Sequence, residues 1–193
     1  MSTRDRRRRE VLEAALKCFS ERGSEATSIE MIRDLSGASV GSIYHHFGGK
    51  DGIALALYLE GLKQANALAL RRLRKARGAR GRVRALVTAF VQWVVHNPQW
   101  ARYVYGTAAV WSTGSAPELR ALNEAYFQEL EAWFRPYIEK KHLRALPIVA
   151  IVAIIYGPAF AYARRWLLGE TPKSLKALTD EFADAAWRGV RAP

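Results

Sequence analysis

Cysteine is almost missing from this chain: Cys18 is its one example in 193 residues. No internal disulfide can staple the fold, so burial must hold it, which suits a reducing compartment such as the cytoplasm. Cys18 precedes Phe19 in a helically spaced apolar pattern, so a buried core thiol is expected rather than a reactive one. Acidic residues are scarce as well, 18 against 30 lysines and arginines, which leaves a formal net charge of +12. That excess favours a polyanionic partner, either nucleic acid or an anionic membrane surface.

Sustained strand alternation is absent, and so are internal repeats and low-complexity linkers. The sequence has no nucleophile, base and orienter cluster, no metal-ligand spacing and no glycine-rich phosphate loop after a strand. These gaps argue against an enzyme, and no cofactor or metal is expected. The adjacent His45 and His46 point to different helix faces, which speaks against a shared metal site. The arginine run ending at Arg9 has no apolar stretch behind it, so a secretory signal is not expected. Charge is missing altogether from Ala145 to Ala163, nearly the length needed to cross a bilayer. Pro147, Gly157, Pro158 and basic flanks on both sides point instead to a helix covered over most of its surface by protein, and no membrane partner is expected.

What is present is helical. Half of the residues are apolar, enough to build a core. Val11, Leu12, Ala15, Leu16 and Phe19 recur at spacings of three and four and stop at Gly23. Thr27 and Glu30 have the spacing of a capping box, which predicts a short helix from about Ser28 that carries Ile29 and Ile32 inward. Gly37 breaks it, and Ser39 caps a second short helix through Ile43, Tyr44 and Phe47. After Gly48 and Gly49 a long helix begins at Lys50. It grows basic: from Lys63 to Arg84 there are Arg71, Arg72, Arg74, Lys75, Arg77, Arg80 and Arg82 and no acidic residue. Pro98, Pro117, Pro147 and the pair Thr171-Pro172 mark further helix starts. The expected fold is all-α with about nine helices: three short ones, one long connecting helix and about five more.

Two short helices separated by a glycine turn and braced by a third form a helix-turn-helix. The second enters the major groove, where base edges are distinguishable. Small or polar residues at its start, Ser39, Val40, Gly41 and Ser42, let the backbone approach the bases, while Ile43 and Phe47 face inward. At these residues the chain resembles the TetR family of bacterial regulators. The likeness rests on Ser28-Ile29, Ile32, the run Gly37 to Phe47, and Lys50. Upstream it includes Val11 to Ala15, Phe19 to Gly23 and Ala26 to Ser28. The resemblance implies that Thr27, Ser28 and Lys50 meet phosphates and that Tyr44 and His46 meet phosphate or sugar. Val40, Gly41, Ser42 and His45 would face base edges. Arg33, Ser36 and Gly52 depart from the family's habits, and Arg33 is expected to lie outward on a packed stem.

The remainder is rich in large aromatics. Such residues fill cores, and they also suit a cavity with apolar walls and polar tips. The resemblance implies an effector site here, with Trp93, Trp100, Tyr103, Thr107, Trp111 and Tyr126 as candidate walls. An uncharged aromatic or lipid-like ligand fits them better than a cation. Ala150, Ala153, Gly157 and Ala161 beside Ile154 and Tyr162 allow close helix approach. The resemblance implies a four-helix dimer contact made by this segment and the last helix, with Phe182 and Trp187. The expected organisation is a helix-turn-helix DNA-binding domain at 1–53 and a ligand-binding and dimerisation domain at 54–193. The expected function is a homodimeric, ligand-released repressor of a pseudo-palindromic operator. The alternative is a ligand-independent architectural DNA binder that uses Lys63 to Arg84.

Overall fold

The chain folds into helices throughout the residues described by the computed structural model, 3–111 and 116–193, with side chains described for 5–107 and 116–193. Among the described residues the order is α1 (Thr3–Arg22), α2 (Ile29–Ser36), α3 (Val40–Phe47), α4 (Lys50–Lys75), α5 (Gly78–His96), α6 (Pro98–Trp111), α7 (Pro117–Glu139), α8 (Ile148–Leu167), a 3-10 turn (Leu175–Leu178) and α9 (Thr179–Val190). The glycine and proline signals account for most of these boundaries. Gly37 takes φ +65 and its N–H returns to the Arg33 carbonyl, which ends α2. The last helix starts later than Thr171-Pro172 suggests. Ser174 accepts a hydrogen bond from the Ala177 N–H at 3.2 Å and caps the 3-10 turn, and Leu175 is fully buried, so α9 begins only at Thr179. A side-chain cap with a buried anchor beside it outweighs the proline signal.

By contacts the chain divides into two units, Met1–Leu62 with Gln99–Ser112, and Lys63–Pro98 with Thr113–Pro193. A cut after residue 53 falls inside α4, so the expected functional boundary has no structural break of its own. In the first unit, Val11, Ala15, Ile32, Ile43, Ile53 and Leu57 are all fully buried. Tyr103 of α6 joins that core: its ring stacks on Phe19 at 5.9 Å, and its hydroxyl donates to the Ala54 carbonyl at 2.8 Å. In the second unit α5 packs on α8 and α9. Leu86, Phe134, Ile151, Ile155 and Ala186 have no exposed surface. Gly189 permits close contact of α9 with α8, since a Cβ there would lie 2.6 Å from Ile154 Cγ2.

Helix α8, uncharged up to Ala163, differs from expectation. Its most apolar stretch is only 28% buried within one chain, at a mean hydropathy of 1.4. Ile151, Val152, Ile155, Ala159, Ala163 and Leu167 face inward, but Val149, Ala153, Gly157 and Ala161 are exposed. One chain buries a single stripe of this helix and leaves the other open.

Gly52 sits where the backbone leaves no room for a side chain. A Cβ on it would collide with the Phe47 carbonyl oxygen, where the head of α4 crosses the end of α3. Gly81, inside α5, meets nothing within 4 Å. In urea denaturation Gly52→Ala should lose roughly 1–3 kcal/mol through overpacking. Gly81→Ala should gain about 0.5–1 kcal/mol from lower chain entropy.

Candidate nucleic-acid interface

The helix-turn-helix is assembled from short-range caps and a shared core. The first cap falls one residue later than the capping-box spacing suggests: Ser28, not Thr27, is the N-cap of α2 and accepts from the Met31 N–H at 3.3 Å. Thr27 is 1% exposed, and its hydroxyl donates to the Gly23 carbonyl at 2.8 Å. It closes the α1–α2 turn rather than facing a phosphate, and Ser28 is the hydroxyl of the pair that reaches the surface. Glu30 still serves the helix start: its own backbone N–H and the Ser28 hydroxyl hold its carboxyl below the usual carboxylate range. Ser39 caps α3 as expected and accepts from the Ser42 N–H at 3.1 Å.

On α3 the inner and outer faces separate cleanly. Ile43 is fully buried, whereas Tyr44 is 52% exposed, and Gly41 and His45 are exposed with it. Ser39 is also exposed, and Val40, Ser42 and His46 are half-buried. Arg33 points outward and pairs with its neighbour Asp34, Nη2 to Oδ1 at 2.6 Å. Ser36 accepts from the Ala38 N–H at 3.2 Å, so the hydroxyl that departs from the family habit helps to form the turn. Lys50, expected on a phosphate, donates to the Ser24 carbonyl at 2.9 Å and to that of Glu25 at 3.5 Å. It ties the head of α4 to the α1–α2 turn.

Residues 11–57 match the profile of the bacterial regulatory proteins, tetR family. Along almost the whole chain, 188 residues, the protein is 27% identical to the transcriptional activator FasR of Mycolicibacterium smegmatis, covering 97% of this chain and 84% of that one. The repressor AcnR of Corynebacterium glutamicum is 43% identical over 53 residues, 28% of each chain. A TetR-family regulator from Marinobacter aquaeolei superposes with a TM-score of 0.81 at 21% identity, over 98% of this chain and 97% of that one. Residues 11–57 are a TetR-family DNA-binding domain, of which α2 and α3 are the helix-turn-helix, and the chain is a DNA-binding transcription regulator.

Beyond that motif, the chain has tied down much of its basic stretch. Arg72 donates to Gln92 Oε1 at 2.9 Å. Arg80 pairs with Asp184 at 2.9 Å and Arg84 with Asp180 at 2.5 Å. Arg82 lies 4.1 Å from the Trp133 ring centroid and donates to the Tyr137 hydroxyl at 3.1 Å. Arg71, Arg74, Lys75 and Arg77 are exposed.

The candidate effector residues fall in both units. In the first, Tyr103 and Thr107 line one cleft of about 400 Å³ with Phe19, Ser20, Ser24 and Arg102. Trp100, half-buried, packs over Gly61 of α4. In the second, Trp93 is 3% exposed, and the Tyr126 hydroxyl meets that of Tyr156 at 2.9 Å. The side chain of Trp111 lies outside the described residues. Sequence reasoning missed Tyr156 and Phe160 of α8. Both ring systems gather on Phe90, at 5.8 and 6.3 Å, to make an α5–α7–α8 aromatic cluster with Tyr126. The i, i+4 spacing of Tyr156 and Phe160 in the uncharged helix was the available signal. Of the candidate dimer residues, Gly157 and Ala161 are exposed and Ala150 is half-buried. Ile154 packs toward Gly189, and Tyr162 meets Phe182 at 5.5 Å within the chain. Trp187 is half-buried on α9.

Burial raises the Tyr126 phenol to about 12, with the Tyr156 hydrogen bond pulling the other way, and burial raises Tyr103 further still. A raised phenol favours the neutral form in the folded chain. The resulting stability is whole below the ordinary pKa of 10.0 and is lost as pH rises through about 12. Tyrosinate difference absorbance should therefore show a late alkaline step that shrinks in Tyr126→Phe and coincides with loss of helical circular dichroism.

Proposed function

We propose that this regulator is a homodimeric repressor whose two α3 helices read the half-sites of a pseudo-palindromic operator, and that a small molecule bound in its C-terminal domain releases it. The observation that carries the DNA-reading part is the outer face of α3, where Gly41, Tyr44 and His45 stand exposed while Ile43 is fully buried. Repression is the reading favoured by likeness to AcnR over the DNA-binding segment. The DNA-binding domain of this proposal is 1–53 and the ligand-binding and dimerisation domain is 54–193. Ser28, Ser39, Val40, Gly41, Ser42, Tyr44, His45 and His46 are its DNA contacts. Selection from random duplex DNA should enrich an inverted repeat with the wild type and lose it with Tyr44→Ala. Salt-sensitive binding without any enriched motif would favour the architectural alternative. That alternative is weakened by the internal partners of Arg72, Arg80, Arg82 and Arg84.

The open stripe of α8 supports the dimer. Ala153, Gly157 and Ala161 are small and exposed, so a partner helix can approach closely and bury the apolar surface that one chain leaves uncovered. A Cβ on Gly157 meets nothing within 4 Å of its own chain. Gly157→Glu should therefore keep the protomer folded yet shift sedimentation from dimer to monomer. An unchanged dimer would place the contact elsewhere.

For the effector, the α5–α7–α8 aromatic cluster around the Tyr126–Tyr156 hydroxyl pair suits an uncharged aromatic or lipid-like molecule, held by apolar walls and oriented by two polar tips. Release requires the ligand to bind the DNA-incompetent state more tightly, with α4 shifting and changing the spacing of the recognition helices. Equal ligand affinity for the free and operator-bound protein would exclude this mechanism.

A further inference from the structure

Arg6, Arg7, Arg8 and Arg9 follow one another in the opening turns of α1. The backbone dipole makes a helix N-terminus an unfavourable place for cations, so four consecutive arginines there work against the helix that carries them. Their packing shows where that charge is directed. Arg7 Nη1 pairs with Glu10 at 3.0 Å and also donates to the Gly37 carbonyl at 3.4 Å, in the turn that leads into α3. The Arg8 guanidinium lies 5.8 Å from the ring centroid of Phe47, the last residue of α3. The head of α1 is thereby held against the α2–α3 turn and the C-terminal end of the recognition helix. The other two arginines face solvent. The Arg6 side chain is 64% exposed and has a loose pairing with Glu10 at 3.8 Å, and Arg9 is exposed. Three residues apart, they share one side of the helix.

We propose that Arg6 and Arg9 form a second, sequence-tolerant DNA contact, neutralising backbone phosphates that flank the groove entered by α3, while Arg7 and Arg8 are positioning residues that hold them there. The proposal rests on α3 being the groove-reading helix. A guanidinium fork matches phosphate geometry, and its charge stays on at any working pH. Such contacts add affinity without sequence information and make binding steeper in salt.

The test is fluorescence anisotropy across a salt series, on the duplex enriched by site selection and on an unrelated duplex. Wild type is compared with the double variant Arg6→Gln/Arg9→Gln and with a charge-matched control, Arg188→Gln/Arg191→Gln, at exposed positions near the other end of the chain. The first double variant should weaken both duplexes by the same factor and lower the log–log salt slope by about 3.6, four phosphates per bound dimer at about 0.9 each, with the selected motif unchanged. The control should keep the wild-type slope. Thermal melts check that both variants stay folded, which exposure of all four side chains favours. An unchanged slope in the first variant, or an equal fall in both, would overturn the proposal. A selected motif with an unchanged slope would leave operator reading intact and remove the α1 contact. No selected motif with a lowered slope would do the reverse.

Discussion

An isolated helix of eight residues is not stable in water, because so short a segment cannot recover the entropy of its nucleus. The recognition helix α3 has that length, and much of the first unit answers to it. Ile43 is driven into a core shared with Ile32, Ile53 and Leu57. Ser39 satisfies the Ser42 N–H at one end, and the Gly48 N–H returns to the Tyr44 carbonyl at the other. Gly52 then lets the head of α4 cross close to the Phe47 carbonyl. With one face fixed in this way, the other can remain polar, exposed and available to DNA. The rigidity of the reading surface comes from what lies behind it.

The chain's large positive charge is divided rather than pooled. Much of the Lys63–Arg84 stretch is taken up within the second unit, where Arg80 and Arg84 meet carboxylates of α9 and Arg82 lies against Trp133 and Tyr137. Exposed ion pairs of this kind contribute little stability, but they orient the long side chains. Lys50 likewise holds carbonyls of a turn. Net charge therefore indicates a polyanionic partner without identifying the groups that meet it. The exposed arginines at the head of α1 and the polar face of α3 are better placed to do so.

Helix α8 poses the complementary problem, too little charge for the surface it shows. An apolar helix with 28% of its most hydrophobic window buried leaves a surface that water covers poorly. The residues on its open side are small, which suits a close helix partner better than a lone exposed face. Its inner side meanwhile supplies Tyr156 and Phe160 to the aromatic cluster, so this one helix connects a proposed interface with a proposed effector site.

Local chemistry was legible in the sequence wherever a single residue type was enough. Glycines with positive φ, cap serines and period-3.6 apolar stripes placed α1 to α4 and identified the helix-turn-helix, because each acts over four residues or fewer. The choice between two adjacent caps was not legible. Thr27 and Ser28 both qualify, and burial of Thr27 against the Gly23 carbonyl decides it. Nor could the sequence divide the arginines between packing and solvent, since the partners of Arg80 and Arg84 lie about a hundred positions away. The aromatic cluster depends in the same way on α5, α7 and α8 coming together. Composition and spacing determined the fold class and the DNA-reading motif; tertiary structure alone decided which charges and rings remain available, because availability depends on neighbours distant in the chain.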